Sequence, residues 1–365
     1  MIERPVAEDR TQQPYADAMA RLLTLVRPYM APDEMGKVIR AFHLALETCQ
    51  GVTGTRPIPP LEHALAVTTI LAQMMHVDDI GIAAGLVFEA VDADLLPLDR
   101  VEQVLGAPTA RVVGSMWRLN ILERKKQSAA LSNTNPQLMA LKKAHDERED
   151  TAANSAESKK PRIREAMRRQ QSETVRKMFV AMAEDPRVVL LKLAYRLHAM
   201  RLICKRSYKG DRQEMLTMAQ ETREIYAPLA GRLGMSRVES ELEDLAFQVL
   251  EPDKFAWVRN IVEMERKQWR SYVERVCTML RAEMVSIGVK AEVSGRVKHY
   301  YSFYKKLVRS VSGEIKSFKD LRAAAEISQI HDLIAFRILV DTTTDCYIAL
   351  GHVHSLWKPK EGRIK

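Results

Sequence analysis

Residues 290–310, KAEVSGRVKHYYSFYKKLVRS, are where the chain changes its period. KAEVSGRVK alternates apolar and polar positions as a strand does, and HYYSFYKKLVRSV, directly after it, has the spacing of a helix. A second β-rich run, LIAFRILV at 333–340, lies downstream, and 344–357 reads as another helix. Working back from this corner, the period is helical almost throughout, including one long helix over 253–287 with Gly288 as its stop. The expected architecture is a large all-α N-terminal region followed by a mixed α/β domain. At the corner, Arg296 and Lys298 are two apart and share a strand face, while Ser302 and Lys306 are four apart and share a helix face. A strand-to-helix turn of this kind focuses cations and a hydroxyl on one small volume. A triphosphate without a Walker loop needs such a cluster.

The 365 residues, 46% of them apolar, suffice for one large core or two ordinary ones. Aromatics are only 6%, and the abundance of Leu, Met, Ala, Arg and Glu favours helix. The net charge of +9 attracts polyanions such as nucleotides, RNA or acidic lipid without choosing among them. Cys49, Cys204, Cys277 and Cys346 lie far apart, which excludes a zinc ribbon and argues against a disulfide framework. The N-terminus has no apolar stretch for a signal peptide, and the apolar windows at 80–91 and 188–194 are too short to span a bilayer. The expected setting is cytoplasmic and reducing, away from membranes.

Towards the N-terminus, Met19, Leu22, Leu23 and Val26 recur at helical spacing, as do Ile39, Phe42, His43 and Leu46. A loop at 51–60 precedes two amphipathic helices over 63–75 and 79–91, with Pro97 and Pro108 marking connections. Residues 125–160 are polar and mixed in charge, too poor in apolar surface to offset their ordering entropy, and read as a polar insertion that is either a mobile loop or a fraying charged helix. Helix is expected to resume over 162–182.

Two segments carry a recognisable resemblance. LEHALAVTTILAQMMHVDDIGIAAGLVFEAVDADLL at 61–96 resembles the start of the HD hydrolase domain of RelA/SpoT proteins. VVLLKLAYRLHAMR at 188–201 resembles that domain's later helix, whose family pattern is KLADRLHNMRT. In active members these helices give one divalent, manganese-like cation a first His, an adjacent His-Asp pair and a distant Asp, a donor set suited to activating water. Here only the first survives, as His63. The pair falls on Phe88 and Glu89, the distant Asp on Tyr195, and the acidic pair that follows on Asp92 and Ala93. The resemblance therefore implies a degenerate, hydrolytically silent domain over 1–210 with no Mn2+. In it His63 is a helix-start histidine, Glu89 and Asp92 are solvated or salt-bridged, and Phe88 and Tyr195 fill the vacated space. His198 and Arg201, at i and i+3, read as a structural polar pair, with a residual guanine-nucleotide contact as the alternative.

EIYAPLAGRLGMSRVESELEDLAFQVLEPDKF at 224–255 resembles the family's linker, giving a helical linker over 211–288. SGRVKHYYSFYKKL at 294–307 resembles the signature GR-x-KH-x-YS-x-x-x-KM of the synthetase domain, and HDLIAFRILV at 331–340 and DCYIALGHVHSLWKPKEGRIK at 345–365 resemble its next segments. The resemblance assigns Arg296, Lys298, Ser302 and Lys306 to ATP phosphates, with Lys306 and Asp332 as catalytic groups. Asp332 also holds Mg2+, and Arg337 is a weaker candidate whose strand parity opposes that of Asp332. It further implies that 289–365 form the N-terminal half of a nucleotidyltransferase-like (p)ppGpp synthetase domain, incomplete because the family's guanine-stacking segment is not among these residues. The closest type is the synthetase-only RelA. The implied activity is transfer of pyrophosphate from ATP to the 3′-hydroxyl of GTP or GDP, with a non-catalytic nucleotide-binding or regulatory fragment as the alternative. The family's ribosome-sensing modules lie C-terminal to this region.

Overall fold

The computed structural model describes residues 9–49, 58–132, 184–205, 208, 210–310 and 334–358. The chain forms two compact units, 1–246 and 247–365. The stretch read as a separate linker is divided between them.

The helices of the first unit are α1 (Asp9–Val26), α2 (Pro32–Cys49), α3 (Pro60–Ile70), α4 (Asp79–Asp92), α5 (Leu98–Leu105), α6 (Ala107–Ser132), α7 (Pro186–Cys204), α8 (Arg212–Glu221) and α9 (Ala227–Arg232). Two π turns, Leu71–Met75 and Thr222–Tyr226, extend α3 and α8. Helix α10 (Ser236–Leu250) contains the division between the units. The first core is built around α4, which is buried at every position from Gly81 to Val91 and packs on α2, α3 and α6. Asp78 caps α4 by accepting from the Gly81 backbone N–H at 3.0 Å. The same carboxylate receives the Arg187 guanidinium at 2.6–3.0 Å, fixing the start of α7 against that of α4. Gly85 makes the close approach possible, since a Cβ there would stand 2.9 Å from Thr68, 3.2 Å from Leu71 and 3.3 Å from Leu191.

One expectation changes. Pro108 falls in the first turn of α6, where its missing N–H costs nothing, not in a connection. Helix α6 continues to Ser132, so 125–132 take the helical one of the two alternatives read for that insertion. The rest of that insertion and the helix expected over 162–182 lie outside the described residues. No helix among the described residues is long and apolar enough to cross a membrane.

The second unit contains α11 (Pro252–Ser286), β1 (Ala291–Val297), α12 (Tyr300–Ser310), β2 (Ile334–Val340) and α13 (Thr343–Leu356). Helix α11 ends where the sequence placed its stop. Gly288 takes φ 73°, and Val289 N–H returns to the Met284 carbonyl at 2.9 Å. The strands pair antiparallel, with Val293 opposite Ile338 and Ser294 opposite Arg337. One face carries Val293, Phe336, Ile338 and Val340 into a core with Cys277, Leu280 and Met284 of α11 and Ala349 of α13. The other face carries Glu292, Ser294, Arg337 and Leu339, all exposed. Helix α12 packs separately, burying Phe303 and Leu307 against Phe247 of α10 and Phe255, Val258 and Val262 of α11.

Gly295 sets the spacing between β1 and α11, because a Cβ there would lie 2.4 Å from Val273 Cγ1 and 3.1 Å from the Phe336 ring. Gly295→Ala should therefore destabilise the second unit by about 1–3 kcal/mol through overpacking. Gly351→Ala, where no atom of the described residues lies within 4 Å, should be neutral or mildly stabilising. Denaturant unfolding of both variants checks this, and equal stabilities would refute the close approach.

Candidate functional site

His63 lies in the first turn of α3, its backbone N–H donating to the Pro59 carbonyl at 3.0 Å. Its Nδ1 is 3.1 Å from Oε1 of Glu89 on α4, and the Glu89 side chain is only 3% exposed. The Tyr195 ring, on α7, stands 5.2 Å from the His63 ring and 5.2 Å from that of Phe88. His198, one turn further along α7, sets its ring edge-on to His63 at 4.6 Å. Positions 63, 88, 89 and 195, scattered in sequence, therefore meet at one point. Glu89 and Asp92 are both paired, and neither is solvated. Asp92, 1% exposed, is held by Arg124 of α6 and receives Asn120 Nδ2 at 3.5 Å.

Three partners escaped the sequence reading: Asn120, Arg124 and Lys192. Lys192 Nζ donates to Asn120 Oδ1 at 2.7 Å, while the residue as a whole is 8% exposed. Cations within the apolar run VVLLKLAYRL were the available signal, since a lysine is buried in such a helix only with a partner. Arg196 is also buried. Its guanidinium lies 4.0 Å over the Tyr226 ring and donates to Glu221 at 3.0 Å. These groups line a cavity of about 230 Å³ beside His63 and Glu89. Among the described residues, no three His, Cys, Asp or Glu side chains converge as a metal site would require.

His198 and Arg201, read as a pair, are divided in role. Arg201 grips Glu241 of α10 with two hydrogen bonds at 2.6 and 2.9 Å. His198 keeps its Nδ1 buried without a hydrogen-bond partner among the described residues.

In the second unit, Lys298 directly follows β1, and Ser302 and Lys306 sit half-buried on α12. Arg296 is placed by register opposite Ala335, which makes Arg337 its diagonal neighbour on β2. Asp332 lies outside the described residues. Helix α12 is fixed by the Tyr300 hydroxyl, which donates to Glu263 of α11 at 2.7 Å, and by Tyr304 stacked on Phe247 at 4.9 Å.

Burial, then the positive charges of Arg201 and Lys205, push the His198 pKa down from 6.5 to about 4. The folded chain keeps this ring neutral to about pH 4, whereas the unfolded chain protonates it near 6.5. Its contribution is complete above pH 6.5 and is lost as pH falls towards 4. His198→Gln should remove about 1–3 kcal/mol of the acid-induced loss of stability across that window, read from urea midpoints at a series of pH values.

The HD domain family matches residues 41–236, and the region found in RelA / SpoT proteins matches residues 295–365. The chain is 32% identical, over its full length, to a GTP pyrophosphokinase of Myxococcus xanthus, and covers 41% of that protein. It is 34% identical, over 96% of its length, to a GTP pyrophosphokinase of Streptomyces coelicolor, covering 35% of it. It is 30% identical, over 93% of its length, to the bifunctional (p)ppGpp synthase/hydrolase SpoT of Escherichia coli, covering 40% of it. The chain thus spans roughly two fifths of the length of these relatives. An HD-type helical unit joined to the strand–turn–helix signature in one continuous match makes this chain a member of the RelA/SpoT family.

Proposed function

We propose that this chain supplies the ATP-binding half of an alarmone synthetase and a helical domain that no longer hydrolyses. The reaction is transfer of the β,γ-pyrophosphoryl group of ATP to the 3′-hydroxyl of GTP or GDP, yielding AMP and guanosine penta- or tetraphosphate. The observation that carries the reading is the basic corner. Lys298, Ser302 and Lys306 follow in order on one strand–turn–helix, with Arg337 diagonal to Arg296 on the neighbouring strand. The relatives named GTP pyrophosphokinase support it.

In this reading Arg296, Lys298 and Lys306 hold the phosphates and stabilise charge on the transferred group, and Ser302 adds a hydroxyl donor. Asp332 would hold Mg2+, which supplies charge neutralisation between phosphate oxygens when bound. Positioning and electrostatics provide most of the rate in chemistry of this kind. Silence of the helical unit is supported by the rings of Phe88 and Tyr195 at two former ligand positions. The one surviving imidazole is engaged by Glu89 at 3.1 Å.

Lys298→Ala should weaken ATP binding by about 10-fold, the loss of one charge-assisted contact. Unchanged affinity in calorimetry would count against the assigned cluster. The chain should release no pyrophosphate from guanosine tetraphosphate in the presence of manganese, and measurable turnover would overturn the silent-hydrolase reading. Labelled-ATP synthesis by the full-length protein and by these 365 residues, run side by side, separates an active synthetase from a fragment that only binds nucleotide.

A further inference from the structure

In the proposed reaction one purine nucleotide is the donor and another the acceptor, so the donor site has to tell adenine from guanine. Groups that hold phosphates cannot do this, because the triphosphate is the same in both. Among the described residues the β1–β2 pair has one open face, since Val293, Phe336, Ile338 and Val340 are turned into the core with α11 and α13. The open face carries Glu292 and Ser294 of β1 and Arg337 and Leu339 of β2, all exposed. Back along it from the corner, the charged positions run Lys298, Arg296, Arg337 and then Glu292. Three cations thus give way to one carboxylate. Leu339, 59% exposed, stands directly opposite Glu292. Lys290, two residues before Glu292, is engaged by Asp341 at 3.1 Å, and Glu292 has no ion pair among the described residues.

We infer that Glu292 reads the 6-amino group of adenine and so selects ATP over GTP as the pyrophosphate donor. The inference rests on the reading of the basic corner as the donor's phosphate site. Same-face residues on a strand are about 6.7 Å apart, which puts Glu292 about 13 Å along the open face from Arg296. That separation suits a nucleoside lying on the face, its phosphates at the corner and the far edge of its base at Glu292. Leu339 offers the base an apolar contact at the same level. An ionised carboxylate only accepts hydrogen bonds. Adenine presents an amino donor at position 6, where guanine presents a carbonyl oxygen, so guanine would set acceptor against acceptor. The N1 and N2 hydrogens of guanine reach the carboxylate only if the base turns to present a different edge, which draws its phosphates away from the corner.

The experiment is calorimetry on the whole 365-residue chain with ATP, GTP and purine riboside triphosphate, which is ATP without the 6-amino group. The wild-type chain should bind ATP about 10-fold more tightly than either of the others, the worth of one charge-assisted hydrogen bond. Glu292→Ala should bind ATP and purine riboside triphosphate equally. Glu292→Gln, whose amide both accepts and donates, should bind GTP nearly as well as ATP. Glu292 is exposed on the open face, so both variants should melt with the wild-type chain. A wild-type chain indifferent to the 6-amino group, or a preference for it that survives Glu292→Ala, would overturn the inference. ATP binding that Lys298→Ala weakens but that ignores the 6-amino group sinks this inference alone. A wild-type chain that binds no ATP removes the reading of the corner and this inference with it.

Discussion

A carboxylate nearly withdrawn from water, on a helix with almost no exposed surface, is the constraint around which the first unit is arranged. Glu89 lies within α4, whose residues are buried on all sides, and an isolated charge there would cost several kcal/mol. Its partner has to come from another helix, and His63 at the start of α3 supplies it. Three residues on, Asp92 poses the same problem and is answered by α6 through Arg124 and Asn120, with Lys192 of α7 behind them. Pairing the acids of α4 therefore draws α3, α6 and α7 to one place. The apolar packing of the core supplies the bulk of the stabilisation, while these pairs determine which helices meet and at what height.

This explains which parts of the structure could be read from the sequence. Helical periodicity located α4, the long α11 and its stop at Gly288, because each depends on local spacing and on one backbone conformation. The strand–turn–helix over 291–310 was legible for the same reason. The fate of Pro108 was not, since a proline before a helix and one in its first turn look alike in a linear pattern. The partners of Asp92 were also hidden. Asn120 and Arg124 lie 28 and 32 residues away, and only folding brings them near.

The second unit depends on a different kind of precision. The sheet, two-stranded among the described residues, buries one face against α11 and α13, and a glycine rather than a complementary pair sets the distance. Gly295 immediately precedes Arg296, so the residue that lets the strand lie close to the helix also fixes the base from which the basic corner extends. On the far side of that corner, α12 is held by aromatic packing and the Tyr300–Glu263 hydrogen bond. Ser302 and Lys306 are thereby placed on a rigid support, with Lys298 just before it.

The π turns at Leu71–Met75 and Thr222–Tyr226 both lie against α7. A π turn accommodates one residue more than an α turn, so every side chain beyond it is rotated by roughly 100° about the axis. At the end of the second of them, Tyr226 arrives beneath the Arg196 guanidinium. Considered as history, each widened turn has the form of a single-residue insertion that the helix absorbed without breaking. Such an insertion offers lineages of this fold a way to re-aim a whole helical face in one genetic step, while the hydrophobic seam before it stays in register.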